Sequence, residues 1–196
     1  QISLILIIGA ILFFLLSVRY IVLFEKNYLK IRNLTLKKLI ELADFDDNKT
    51  VLDLGTGWGF IAINIAKNIE NWKVYGIDNW RCLPFTIPKI ALTMMLGSSE
   101  KAAKRNADLE EVTNKCTFIN QSFLEKLRFP DNYFDIVCSS YSLYFVEDQD
   151  QQVFLCKEID RVLKKNGKIE FRSPSSTPIS IHWVCPTLAF SLFMTC

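Results

Sequence analysis

The sequence predicts an α/β fold: a mostly parallel sheet with helices on both faces, preceded by an N-terminal transmembrane helix. Three observations predict it. Short apolar runs alternate with helix-period segments from Thr50 onward. The first of those runs empties into three closely spaced glycines. And the apolar excess of a 196-residue chain that is 50% hydrophobic is gathered at its N-terminus.

Ile2 to Phe24 carries a single charge, Arg19. A helix needs about 20 apolar residues to cross a bilayer core, so this run is expected to be a single-pass anchor, with residues 2–24 in the membrane. Arg19 lies near its end, where its stem can snorkel to the headgroups. Tyr20 and Tyr28 suit the interface. The basic flank of Lys26, Lys30, Arg32, Lys37 and Lys38 predicts that the rest of the chain stays on the cytoplasmic side. A signal peptide would show a basic segment before the apolar core and a small-x-small cleavage site after it, and neither is visible.

From Asn27 to Phe45, apolar residues at 31, 34, 39 and 42 recur among lysines, the pattern of an amphipathic helix. Asp46 to Asn48 break it. Thr50–Leu54 is predicted as a buried strand, Phe60–Ile69 as a helix and Lys73–Ile77 as a second strand. Residues 79–98 are expected to be irregular, with Pro84 and Pro88 opposing a helix. Ser99 is placed to cap a helix running to Glu110. Cys116–Ile119 and Tyr133–Cys138 read as the third and fourth strands. Asp150–Leu163 reads as a helix stopped by Lys164, Lys165 and Gly167. Lys168–Arg172 is the fifth strand. The expected organisation is an anchor at 1–25, a linking helix at 26–47, a ligand-binding domain at 48–172 and an apolar segment at 173–196. Pro174, Pro178 and Pro186 interrupt that last segment, which is open to three readings: an edge strand, a membrane-dipping piece, or the start of something cut off. A chain that begins at Gln1 and ends inside an apolar run at Cys196 reads as an excerpt of a longer one.

Composition excludes several functions. A net charge of +2 offers no basic face for nucleic acid. The six cysteines, at 82, 116, 138, 156, 185 and 196, include no CxxC pair, and His182 is the one histidine. No metal site, and no Cys-His nucleophile, is expected from that set. Free thiols fit a reducing compartment.

The informative stretch is Val51-Leu-Asp-Leu-Gly-Thr-Gly-Trp-Gly59. In open parallel sheets, ligands settle at the carboxyl ends of strands, and glycines there let the backbone approach them. The spacing is GxGxG, whereas the dinucleotide fingerprint would require glycine at position 60, which is Phe60. A P-loop would require a lysine followed by serine or threonine, and neither is present. Asp53 would repel a pyrophosphate but suits a ligand bearing an ammonium or sulfonium cation. Asp78, ending Val74-Tyr-Gly-Ile-Asp78, can accept both hydroxyls of a ribose.

Val51 to Gly59 resembles the first motif of class I S-adenosylmethionine-dependent methyltransferases, and Gly76-Ile-Asp78 resembles the second. Asn106 to Val112 resembles the NAxxEGV-like segment before their third strand. Leu127 to Asp135 is similar to the LPFxDxxFD segment before the fourth, and Leu163 to Lys168 to the LKPGG turn before the fifth. The likeness covers about residues 48–172, in order.

The resemblance implies a Rossmann-like sheet, S-adenosyl-L-methionine as cofactor, and a set of binding residues. The loop of Gly55, Thr56, Gly57 and Gly59 would wrap the methionine end, with Asp53 near its amino group. Asp78 would hold the ribose, flanked by Asn79 and Trp80. Gln121 or Ser122 stands where the family places an acid against the adenine amino group, with Phe123 beside the base. Ser139, at the fourth strand's exit, completes the set. The family's last two strands have no counterpart after Arg172, and Lys165-Asn166 replaces a proline-glycine pair.

Methyl transfer from a sulfonium is an in-line displacement in which the protein supplies alignment and a dry site. No catalytic base is named from the sequence. After the fourth strand, Ser139-Ser-Tyr-Ser-Leu-Tyr144 lacks the Asn/Asp-Pro-Pro-Tyr of amino-methylating enzymes acting on DNA or protein glutamine. Tyr141 and Tyr144 suit either packing or an acceptor pocket, and the four tryptophans read as packing or interface residues. The expected activity is methyl transfer to a small-molecule or lipid acceptor at a membrane surface. The sequence leaves two alternatives, an NAD-dependent oxidoreductase and a non-catalytic membrane protein with a degenerate methyltransferase fold. It gives no oligomeric state.

Overall fold

The computed structural model describes residues 48–81, 98–140, 142–146 and 148–172, together with isolated helical positions between 9 and 41. Five strands form one sheet: β1 (Thr50–Leu54), β2 (Lys73–Asp78), β3 (Cys116–Asn120), β4 (Phe134–Ser140) and β5 (Leu163–Arg172). Their spatial order is β3-β2-β1-β4-β5, and every pairing is parallel. The helices are α1 (Phe60–Asn68), α2 (Glu100–Leu109) and α3 (Gln149–Val162), with a 3-10 turn at Ser142–Phe145.

Alternation along the strands sorts the core into two layers. Val51, Val74, Cys116, Phe118, Ile136 and Cys138 pack with Ile61, Ile65 and Ala66 of α1 and Ala103 and Ala107 of α2. Leu52, Leu54, Ile77 and Val137 pack on the other face with Leu155, Ile159 and Val162 of α3. Truncating a fully buried leucine or isoleucine such as Leu52 or Ile65 costs about 2–5 kcal/mol.

Local signals set the ends of the elements. The Ser99 hydroxyl accepts from the Ala102 amide at 3.1 Å and starts α2, and Asp148 caps α3 through Gln151 N at 2.8 Å. Differences from the expected boundaries fall at element ends: α1 stops one residue earlier than expected, at Asn68, and α3 runs Gln149–Val162 where 150–163 was expected. β4 runs two residues further than expected, to Ser140. β5 begins at Leu163, and a two-residue step along β4 (Phe134 to Ile136) faces a five-residue step along β5 (Leu163 to Lys168), an irregularity that absorbs the expected turn into the strand.

The expected membrane anchor is corrected. Among the described residues, no helix is long and apolar enough to cross a membrane. Of the N-terminal run, positions 9, 11–16, 18 and 19 are described, and they are helical. The remaining positions of 2–24 lie outside the described residues. The N-terminal transmembrane helix, the single-pass localisation, the cytoplasmic-side orientation and the membrane as a partner fall together, because each rested on that span. Parts of the expected linking helix, the irregular stretch at 82–97, Tyr141 and the segment at 173–196 also lie outside the described residues.

Candidate functional site

Between β1 and β4 the strand order reverses direction, so the connections leaving these strands diverge and open a crevice at the carboxyl edge of the sheet. The residues singled out from the sequence meet there. Asp53 lies opposite Gly76 of β2 and Cys138 of β4. It is 2% exposed, and the Thr56 hydroxyl donates to its Oδ2 at 2.7 Å. Gly76 makes room for this arrangement: a Cβ there would come within 2.6 Å of Thr56 Oγ1 and 2.8 Å of the Phe118 ring.

The loop from Gly55 to Gly59 is fixed by bonds from several elements. The amides of Gly55 and Thr56 donate to the Ile77 carbonyl at 2.8 and 3.1 Å, tying the loop to the end of β2. Asp78 Oδ2 accepts from Gly57 N at 3.0 Å, and Asn106 of α2 donates to the Trp58 carbonyl at 3.0 Å. Gly57 has φ +56, in the left-handed region. A Cβ on it would meet nothing within 4 Å, so this face of the loop is open space beside two carboxylates. The chemistry of these residues suits an adenosyl ligand with a cationic end. Gly57 offers bare backbone, Asp53 supplies charge beneath the loop, and Asp78 presents its carboxylate at the neighbouring strand's exit.

Other expected site residues take more local roles. Asn79 is exposed, and its Oδ1 accepts from Arg81 N at 3.1 Å. Gln121 is 3% exposed, with its amide committed to its own loop. Nε2 donates to the Lys126 carbonyl at 2.7 Å, and Oε1 accepts from Arg128 N at 3.3 Å. Its backbone N–H donates to the Asp78 carbonyl at 3.0 Å, so its main chain is tied to the end of β2 while its side-chain amide bonds its own loop. The Ser122 hydroxyl accepts from Leu124 N at 3.2 Å. Ser139 is buried and donates to the Leu54 carbonyl at 2.8 Å, pinning β4 to the exit of β1.

One residue at the crevice, Ser142, escaped sequence reasoning, and Trp80, expected beside Asp78, makes a contact that the sequence did not suggest. The Ser142 hydroxyl donates to the Gly55 carbonyl at 2.9 Å and fills the space where a Gly55 Cβ would stand. The Trp80 indole Nε1 donates to the Gly57 carbonyl at 2.8 Å. Neither has a sequence motif; a position shortly after a strand exit was the one signal available.

The site's surroundings are apolar and hold two thiols that are not poised to react. Burial, then Asp53, pushes the Cys116 thiol up to about 12, against a smaller opposing effect of Lys115. Burial, then Asp53 and Glu170, also raises Cys138 well above the ordinary thiol range. Both act as small hydrophobic residues lining β3 and β4.

Comparisons with known proteins agree with this geometry. A family described as Methyltransferase domain matches residues 90–171. The ubiquinone/menaquinone biosynthesis C-methyltransferase UbiE of Bdellovibrio bacteriovorus is 29% identical over 139 residues, covering 71% of this chain and 50% of that protein. A release factor glutamine methyltransferase of Flavobacterium psychrophilum is 30% identical over 151 residues, covering 63% and 45%. The chain thus spans about half the length of the curated relatives it matches. Among solved structures, an S-adenosyl-L-methionine-dependent methyltransferase fold from Methanococcus maripaludis superposes with a TM-score of 0.55 at 20% identity, covering 77% of this chain and 60% of that one. Taken with the strand order, the glycine loop leaving β1 and the acid ending β2, these likenesses establish that the chain has the class I S-adenosyl-L-methionine-dependent methyltransferase fold.

Proposed function

We propose that this chain binds S-adenosyl-L-methionine at the exits of β1 and β2 and directs its methyl group to a small acceptor. The observation that carries the reading is the open face of Gly57 between Asp53 and Asp78. When bound, the cofactor supplies an electrophilic methyl group on a sulfonium. The chain's own residues do the rest. The glycine loop lets the methionine end lie against backbone. The Asp53 carboxylate compensates positive charge through a short, poorly screened path. Asp78 keeps lone pairs for ribose hydroxyls while its oxygens accept from backbone amides.

A small acceptor is favoured by the exit of β4. Cys138-Ser-Ser140 stands there in place of Asn/Asp-Pro-Pro-Tyr, the signature of amino-methylating enzymes acting on DNA or protein glutamine. The relative named for ubiquinone/menaquinone biosynthesis supports the same class. Ser139 donates to the Leu54 carbonyl at the end of β1 and Ser142 to the Gly55 carbonyl of the loop, so both orient the crevice wall.

Calorimetric titration tests the cofactor. S-adenosylhomocysteine should bind and NAD should not, because Phe60 occupies the position of the third dinucleotide glycine. Absence of heat with S-adenosylhomocysteine at millimolar concentration would sink the proposal in favour of a non-catalytic fold. Methylation confined to proteins in a cell extract would sink the small-acceptor assignment.

A further inference from the structure

Gly57 is gripped at both of its polar ends by one neighbouring segment. Its N–H donates to Asp78 Oδ2 at 3.0 Å, and its carbonyl accepts from Trp80 Nε1 at 2.8 Å. The circuit closes because the Trp80 backbone N–H donates to Asp78 Oδ1 at 2.8 Å. Three residues therefore fix one another: the loop that would face the cofactor, the acid that would face its ribose, and a tryptophan that touches both.

Trp80 holds this place against its backbone preference. Its φ of +46 lies in the left-handed region, where a bulky side chain is uncommon. Strain of this kind persists only where the surroundings over-determine it. Here the indole packs against the core layer shared by α1 and α2, and its N–H reaches across to Gly57. Phenylalanine could supply the packing, but only a ring bearing a donor can supply the bond.

The bond has a geometric effect. With its carbonyl tied to the indole and its N–H tied to Asp78, Gly57 cannot rotate its flanking peptides into the crevice, and its open face stays presented. The Asp78 carboxylate, bonded through both oxygens, keeps one plane. We propose that Trp80 is a positioning residue for the cofactor site, acting through Gly57 and Asp78 to hold the loop in its ligand-ready form before a ligand arrives. This rests on the reading of the crevice as an adenosyl site, and it assigns Trp80 a role beyond packing. Pre-setting a loop in this way removes an ordering cost that binding would otherwise bear.

The test is Trp80→Phe, compared with the unsubstituted protein by three measurements: titration with S-adenosylhomocysteine, thermal melting without ligand, and amide exchange at Gly57. The expected result is affinity weaker by about tenfold, as loss of one hydrogen bond and of preorganisation would give. Exchange at Gly57 should accelerate while the melting temperature stays close to that of the parent. Unchanged affinity in a folded variant overturns the proposal. So does a loss of affinity with Gly57 exchange unaltered, which would make the effect purely one of packing. If the variant fails to fold, exchange in the parent decides: the Gly57 amide must be protected without ligand, and free exchange there overturns the proposal. A folded parent that ignores S-adenosylhomocysteine would instead refute the underlying cofactor reading, so the two failures are separable.

Discussion

Arg161 of α3 and Glu158, one turn earlier, form a forked pair, with NH2 2.7 Å from Oε2 and Nε 3.0 Å from Oε1. The same guanidinium also donates to the carbonyls of Phe129 and Leu127, and Glu158 Oε2 accepts from Leu127 N. The pair thus fastens α3 to the segment that leads into β4. Arg161→Met should leave the buried Glu158 and two carbonyls without their donor, lowering stability by about 2 kcal/mol. Urea unfolding of the two proteins checks this.

Acid should loosen the same region. The Arg161 hydrogen bond holds the Glu158 carboxyl below its ordinary 4.5. Burial works against ionisation of Asp135, but hydrogen bonds from Lys164 and Thr50 outweigh it and bring that carboxyl below its ordinary 3.8. A depressed folded-state value means stability present above the unfolded-state value and lost as pH falls through the folded one. Unfolding midpoints should be flat above about pH 5.5 and fall steadily below about 4.5. The fall should be shallower in Asp135→Asn.

The glycines of the loop should separate by consequence. Alanine at Gly57 meets no neighbour, so it should cost only the left-handed strain of about 1 kcal/mol. Its methyl group would nonetheless stand in the space proposed for the ligand, and S-adenosylhomocysteine binding should weaken by at least about tenfold. Alanine at Gly55 collides with Ser142 and should cost about 3 kcal/mol before any ligand is added. Melting and titration of both variants give the contrast directly.

Thr56→Val keeps shape and removes the hydroxyl that donates to buried Asp53. The expected loss is about 2 kcal/mol in stability, measurable by denaturant titration. Thr56→Ser, which keeps the donor, should recover most of it.

Cys116 and Cys138 should not react with an aromatic disulfide reagent at pH 8 in the folded protein. Both are buried and their thiols are pushed up. Release should appear only on unfolding; prompt modification of either would show that the sheet opens far more readily than its packing implies.

The central strands β1 and β4 were legible because they are largely buried on both faces and read as short, continuous apolar runs. The glycine turn was legible for a second reason: Gly55, Gly57 and Gly59 all take positive φ, which their residue type permits. The grip on Gly57 was not legible, since it depends on Trp80 adopting positive φ and reaching a residue 23 positions earlier. Gln121 misled for a similar reason. An amide after the third strand looks available to a ligand, yet its partners prove to be main-chain groups five and seven residues on. The anchor misled because an apolar run of sufficient length is necessary for a membrane crossing without being sufficient, and among the described residues no helix is long and apolar enough.

The reversal of strand order beside β1 divides labour between the two halves of the sheet. The glycine loop, Asp78 and the Trp80 indole all come from β1, β2 and their exits, while β4, β5 and the turn at Ser142–Phe145 frame the opposite wall. On the proposed reading, substitutions on that second wall would retune acceptor choice while leaving the first wall's hydrogen bonds in place, so the two properties could diverge independently.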